Sequence, residues 1–312
     1  MTASCDPLLP VLLGSARKIA IVFDFIPMHY PSIYLRHVAA RAEYAAGLDA
    51  LKLYDECVCI SALAAKELTE VVGASVKRSV AWPRDISDSV GNSSRAPSRS
   101  ASEGPIVVMT GDEPRKNTFG ALAAIAAATT AETQRDVVVL GMAGQGTRVH
   151  HWSIAAAMRP GEAVTAGRVS DSDMRELLSS ASVVVVASFD EGLSLPVIEA
   201  LEAGTPVVAS DIGAHRELLG SGRFLADPKD LKAMARAIGR YRGDASVAAR
   251  QLSRLRKHKH LILENVISES VHTVLANRSP IEVTARARPS RLNVGVATPW
   301  DLQPTGVADF SV

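Results

Sequence analysis

Residues 188–217 read SFDEGLSLPVIEALEAGTPVVASDIGAHRE, and the organisation of the chain can be built outward from them. The residues just before them, 183–187, are VVVVA, a run short and β-branched enough to be a buried parallel strand. A turn, Asp190-Glu191-Gly192, leads to a helix that starts near Pro196. Proline is tolerated in a first helical turn, where its missing N–H is one the helix leaves unbonded anyway. Val197, Ile198, Leu201 and Ala203 give this helix an apolar face, and Gly204 is a natural stop. A second apolar strand, 206–209, begins at once. Strand, glycine-bearing turn, helix and strand make a βαβ unit, whose helix starts at the carboxyl ends of the strands.

The start of that helix is where chemistry is expected. Free N–H groups over Gly192, Leu193, Ser194 and Leu195, with the positive end of the helix dipole, suit an anion such as a diphosphate. Two carboxylates flank it, Glu191 in the loop and Glu199 inside the helix, with seven residues between them. Carboxylates repel phosphate but accept hydrogen bonds from hydroxyl groups. A ligand with an anionic middle and hydroxylated ends fits both demands, and a nucleotide sugar is such a molecule. The plain alternative is a surface helix after a core strand, carrying two solvated glutamates.

Glu191-x7-Glu199, set in EGLSLPVIEALEAGTPVVAS, resembles the E-x7-E signature of retaining GT-B glycosyltransferases, the large family that includes bacterial mannosyl- and glucosyltransferases. Ser194 stands where that family usually has a second glycine. The resemblance implies an α/β fold of two Rossmann-like, doubly wound domains. It also implies that Glu199 meets ribose hydroxyls and Glu191 the transferred sugar, and that the substrate is a nucleotide sugar, with GDP-mannose favoured. No separate cofactor and no metal are expected, and the acceptor would be a glycan or a lipid-linked sugar.

The order from residue 105 supports such a sheet. Strands at 106–109, 137–140, 163–166 and 183–187 alternate with helical stretches at 118–129 and 171–179, and a last helix is expected over 228–241. This alternation predicts a doubly wound parallel sheet with right-handed crossovers. The first strand ends in GDEPRKN, residues 111–117, which resembles the family's RKN segment. By that match Lys116 meets the donor diphosphate, with Arg115 and Asn117 beside it. Relatives often carry an arginine at the end of the preceding strand, where this chain has Thr110. Gly141, Gly144 and Gly146 follow a strand but are spaced wrongly for a dinucleotide fingerprint, and read as a loop. Val169, in the segment GRVS, lies where relatives hold the nucleobase through backbone contacts.

Ahead of this domain, 18–22 (KIAIV) and 53–60 read as strands, 62–72 as a helix and 75–81 as a short strand. DFIP, residues 24–27, resembles a segment of the family's acceptor-side domain, and CVCISALAAKEL its later strand-serine-helix segment. Asp24, at a strand's carboxyl end, either contacts a sugar or caps the following turn. Phe23 occupies the place where relatives often have a donor-contacting histidine.

The expected domain plan is a partial acceptor-side domain at 1–82 and a Ser/Pro/Arg-rich linker at 83–104. A nucleotide-sugar domain at 105–244 follows, then a long helical pattern and extended segment at 245–291. Residues 292–312, LNVGVATPWDLQPTGVADFSV, resemble the opening strand and glycine loop of a GT-B first domain. They read as the start of a second glycosyltransferase module, or as a strand returning to the first domain.

Composition narrows the function classes. With 312 residues and a net charge of +1, two ordinary domains fit, and no general affinity for nucleic acid is implied. Cys5, Cys57 and Cys59 make no disulfide framework. The apolar run 8–13 is too short to span a bilayer and follows an acidic residue, so it does not read as a signal peptide. A cytoplasmic protein is expected, with peripheral contact at the inner face of the membrane for a lipid-linked acceptor.

Overall fold

The computed structural model describes residues 8–12, 17–83, 103–129, 136–159, 161–167, 169–257, 261–262 and 265–266. They fall into two compact units, one within Met1–Arg84 and His260–Val312, the other within Asp85–Lys259. The tail at 292–312 and most of the expected linker at 83–104 lie outside the described residues.

In the first unit the elements run α1 (Leu9–Leu12), β1 (Ile19–Val22), α2 (Ile26–His29), α3 (Pro31–Tyr34), α4 (Val38–Ala50), β2 (Glu56–Cys59), α5 (Ala62–Val72) and β3 (Arg78–Trp82). Helix α5 is set by its ends. Ser61 Oγ accepts from the Ala64 N–H at 3.0 Å, and Gly73, at φ 112°, stops the helix in a conformation that costs glycine little. Strands β1, β2 and β3 pair in parallel. Val22, Cys57, Cys59 and Leu68 form their core, and burial pushes the Cys59 thiol up to about 11, so it is an inert packing group. Helix α4 was not expected: among its residues only Tyr44, Gly47 and Ala50 are buried, a stripe too narrow to stand out in sequence.

The second unit runs β4 (Ile106–Met109), α6 (Thr118–Ala128), β5 (Val137–Leu140), α7 (Gly146–Ala155), β6 (Ala163–Thr165), α8 (Asp171–Ser180), β7 (Val183–Val186), α9 (Leu195–Glu202), β8 (Val207–Ser210), α10 (Gly213–Leu219), β9 (Leu225–Ala226), α11 (Leu231–Tyr241) and α12 (Ala245–Leu255). Its six strands are ordered β6-β5-β4-β7-β8-β9, and every pair is parallel. Ile106, Val108, Val137, Val139, Val183, Val185 and Val208 fill the core, as near-continuous apolar strands covered on both faces do. Strand order reverses between β4 and β7, so the loops leaving these two strands diverge to opposite faces and open a crevice at their carboxyl ends.

The glycine-rich turn after β5 is the approach to α7 rather than a dinucleotide loop. Gly141 has φ 89°, and a side chain there would run into the carbonyl oxygen of Thr110 at the end of β4.

One expectation is corrected after residue 245. A long helix is expected from residue 245, yet α12 ends at Leu255, and Leu261–Ile262 form β10, paired in parallel with β3. The buried positions of α12, Val247, Ala248, Gln251 and Leu255, would next fall at 258 or 259, which are histidine and lysine, so the apolar stripe gives out. Helix α12 also has a task in the second unit. Gln251 Nε2 donates to the Val207 carbonyl at 2.7 Å, and its Oε1 accepts from the Val207 N–H at 3.0 Å. Val207 faces the side where β9 would pair, but β9 joins β8 only from Ala209 onward. The Gln251 amide thus takes the place of a missing strand residue and satisfies a buried peptide.

Candidate active site

The β4–α6 loop is folded so that its two cations point at the β7–α9 loop. Pro114–Lys116 form one 3₁₀ turn, and Asn117 then takes a left-handed conformation, φ 52°, to start α6. Asparagine tolerates that region better than other non-glycine residues. Its Nδ2 donates to the Ala187 carbonyl at 3.0 Å and the Pro228 carbonyl at 3.3 Å. The Phe189 N–H donates to the Arg115 carbonyl at 2.7 Å, a second tie between the loops. The resemblance also places Asn117 at the ligand; in the structure its amide hydrogens fasten one loop to the next.

These ties deliver Lys116 and Arg115 to Glu191. Lys116 Nζ donates to Glu191 Oε1 at 2.7 Å, and Arg115 Nη1 to Oε2 at 3.0 Å. Ser188 Oγ donates to Oε1 at 2.7 Å. Arg115 also reaches the Asp190 carbonyl at 3.0 Å and the Glu113 carboxylate at 2.5 Å. Glu191 is 6% exposed, so it is a buried carboxylate with its partners in place rather than a solvated loop charge. The sequence pairs Glu191 with hydroxyl groups; the structure gives it one hydroxyl partner, Ser188, and two cations.

Burial alone would raise the Glu191 pKa. Lys116 and Arg115, with hydrogen bonds from Lys116 and Ser188, outweigh burial and hold the carboxyl below the ordinary value of 4.5. A carboxyl whose native value is depressed binds its proton less readily folded than unfolded. Its contribution to stability is therefore complete above the unfolded value, about 4.3, and is lost as pH falls through the native value. Denaturant midpoints should hold level for this group from neutral pH to about pH 5 and fall below it, more steeply in the native chain than in Glu191→Gln. Parallel acid limbs for the two proteins would exclude this.

The amide site takes shape beside the ion pair. Helix α9 begins at Leu195 with Pro196 in its first turn. Among the described residues, the N–H groups of Gly192, Leu193 and Ser194 find no hydrogen-bond acceptor, and all three residues are buried. The Leu195 N–H, expected to be free, donates to the Leu193 carbonyl at 3.2 Å and is removed from the set. Three buried donors, with Lys116 at the adjoining residue, form a corner that can hold phosphate oxygens.

The remaining expected residues spread more widely. Glu199 lies in α9, partly buried, one turn beyond Pro196. Val169 is 37% exposed just before α8, whose first turn is capped by Ser170. Asp24 belongs to the first unit, and its Oδ1 accepts from the Ile26 N–H at 3.0 Å; it does cap the turn into α2. Sequence reasoning missed Ser188, Ser210 and His215. His215 is completely buried in α10, and its Nε2 lies 3.1 Å from Ser194 Oγ. A histidine among Ala214, Leu218 and Leu219, five residues after a strand-end serine, was the available signal. Among the described residues, no three His, Cys, Asp or Glu side chains group closely enough to hold a metal ion, and no helix is long and apolar enough to cross a membrane.

Comparison with known proteins agrees with this geometry. Residues 104–244 match the family model described as "Glycosyl transferases group 1". The chain is 34% identical over 127 residues to O-antigen chain mannosyltransferase B of Escherichia coli, covering 40% of this chain and 33% of that protein. It is 40% identical over 70 residues to O-antigen chain mannosyltransferase RfbU of Salmonella typhimurium, 22% of this chain and 20% of that one. The chain thus spans a third or less of the length of these curated relatives. Among solved structures, HepE from Anabaena, in complex with UDP and glucose, matches at TM-score 0.67 and 16% identity, over 88% of this chain and 76% of that one. Sucrose-phosphate synthase from Thermosynechococcus elongatus matches at TM-score 0.63 and 18% identity, over 83% and 68%. The fold is that of the GT-B glycosyltransferases.

Proposed function

We propose that the second unit is the donor half of a retaining glycosyltransferase, which moves a hexose from a nucleoside-diphosphate sugar to a glycan or lipid-linked acceptor. Mannose, carried by GDP, is favoured because the named relatives include O-antigen mannosyltransferases. The observation that carries the reading is the corner where three unbonded amides at Gly192, Leu193 and Ser194 adjoin Lys116, at the point where strand order reverses.

In this reading the diphosphate lies on those amides and on Lys116, with Arg115 behind it. Glu199 accepts from ribose hydroxyls, the backbone at Val169 borders the base, and Glu191 accepts from a hydroxyl of the transferred sugar. Lys116 would then be shared between Glu191 and phosphate, so a compact ammonium serves both. As the bond from sugar to phosphate breaks, charge grows on the leaving oxygen, where fixed donors lower the barrier most. The acceptor hydroxyl attacks from the face the phosphate leaves, and the phosphate takes its proton, so no protein base is required. Asp24, in the other unit, is proposed for the acceptor side.

The test is to incubate the chain with GDP-mannose, UDP-glucose and ADP-glucose and follow slow donor hydrolysis and sugar transfer. Melting temperature should rise with the matching diphosphate, since a ligand at a hundred times its dissociation constant adds about 2.7 kcal/mol. A chain that neither hydrolyses any donor nor gains stability from GDP, UDP or ADP would end the proposal.

A further inference from the structure

We infer that His215 is a positioning residue for the anion-binding amides, and that it acts by holding the hydroxyl of Ser194. The inference rests on the donor-site reading above. Ser194 is the residue preceding α9, a place where a serine usually turns its oxygen onto the first-turn amides and caps them. Here it makes no such bond. Ser194 is completely buried, and its Oγ lies 3.1 Å from His215 Nε2.

The hydrogen positions follow from the other side of the ring. His215 Nδ1 is 2.8 Å from the Ser210 carbonyl oxygen, which can only accept, so Nδ1 carries the proton. Nε2 is then bare and accepts from the Ser194 hydroxyl. Burial holds the imidazole below the ordinary histidine value of 6.5, against the pull of Glu191 and the Ser210 carbonyl, so the neutral form is the one present. Ser210 Oγ donates to the Ser188 carbonyl, and Ser188 Oγ donates to Glu191. Both ends of the loop that presents the amides are thereby fastened to one pair, Ser210 and His215.

Two consequences bear on ligand binding. With its hydroxyl on His215, Ser194 does not occupy the amides of the loop, which stay unbonded for phosphate oxygens. With Nε2 as its acceptor, the buried hydroxyl is satisfied without turning onto the first-turn amides, so the bond keeps those amides uncapped. The same chain explains why a serine is accommodated where the resembling family has glycine: α10 supplies the acceptor that a buried hydroxyl needs.

Calorimetric titration with GDP and UDP, alongside melting curves, tests this on four proteins: the native chain, His215→Leu, His215→Gln and Ser194→Ala/His215→Leu. Loss of the acceptor in His215→Leu should weaken diphosphate binding about tenfold. Glutamine, whose amide can occupy the place of Nε2, should stay within about twofold of the native affinity. The double variant has no unpaired hydroxyl and should recover most of the loss. A merely structural histidine would lower the melting temperature and leave affinity unchanged. That outcome, or a double variant as weak as His215→Leu, overturns the inference while leaving the donor site standing. Absence of binding by the native chain overturns both. Should His215→Leu not fold, His215→Asn replaces it: its amide can keep the bond to the Ser210 carbonyl but cannot reach Ser194, so a similar loss of affinity is expected, and native affinity refutes the role.

Discussion

Lys116→Ala is expected to lower sugar transfer by about 10²- to 10³-fold, the loss seen when one preorganised donor to a developing negative charge is removed. Lys116 Nζ is the cation next to the three open amides, held at 2.7 Å from Glu191 while its own loop is tied down through Asn117 and the Arg115 carbonyl. In the proposed reaction its charge would thus be in place before substrate arrives, with no reorganisation needed as the phosphate leaves. Arg115 reaches the same carboxylate but is also held by Glu113 and the Asp190 carbonyl, so it is poorly able to move across. The loss should fall chiefly on the turnover number, with a smaller loss in diphosphate affinity. Single-turnover rates measured beside diphosphate titrations separate the two, and native rates in Lys116→Ala would remove the lysine from the mechanism.

Glu191→Gln should separate binding from turnover in the opposite sense. Removing the carboxylate leaves Lys116 without its nearest counter-charge, and breaking such a pair from one side should cost stability of about 3 kcal/mol. Diphosphate then becomes the best partner available to Lys116, so GDP or UDP should bind about tenfold more tightly. Transfer should nevertheless slow about a hundredfold, because an acceptor for the sugar's hydroxyl has been exchanged for a neutral amide. A larger ligand-induced rise in melting temperature than in the native chain would mark the first effect, and radiolabelled transfer the second. A variant that binds diphosphate no better and transfers sugar at the native rate would show that Glu191 only braces the loop.

Much of this arrangement can be read from the chain itself, and the limits are physical. The strands of the second unit are runs such as IVVM, VVVL and VVVV, which have little choice but to be buried parallel strands. Lys116 and Glu191 were found through local motifs, each lying in the loop after an apolar strand. Their contact could not be read that way, since it joins positions 75 residues apart and depends on β4 and β7 being neighbours. The bonds made by the Asn117 amide and the Leu195 N–H escape the sequence for a related reason: a polar group in a loop looks available until the partner brought to it by the fold is known. Helix α4 escaped notice because its buried face is narrow, and His215 because a lone histidine in an apolar helix carries no motif. The first unit was legible in its strands and in α5, whose serine start and glycine stop are local signals.

The Gln251 contact has a practical bearing on where the donor unit can be cut. The family match stops at residue 244, a natural place to end a recombinant fragment. Such a fragment would strip the Val207 peptide of both its partners in the strand that leads to Ser210, and Ser210 is the anchor of the amide loop. Trimming at residue 244 would thus loosen the amide loop from a distance, without touching Gly192, Leu193, Ser194 or Lys116 themselves. A piece that keeps the Gln251 contact has to include α12.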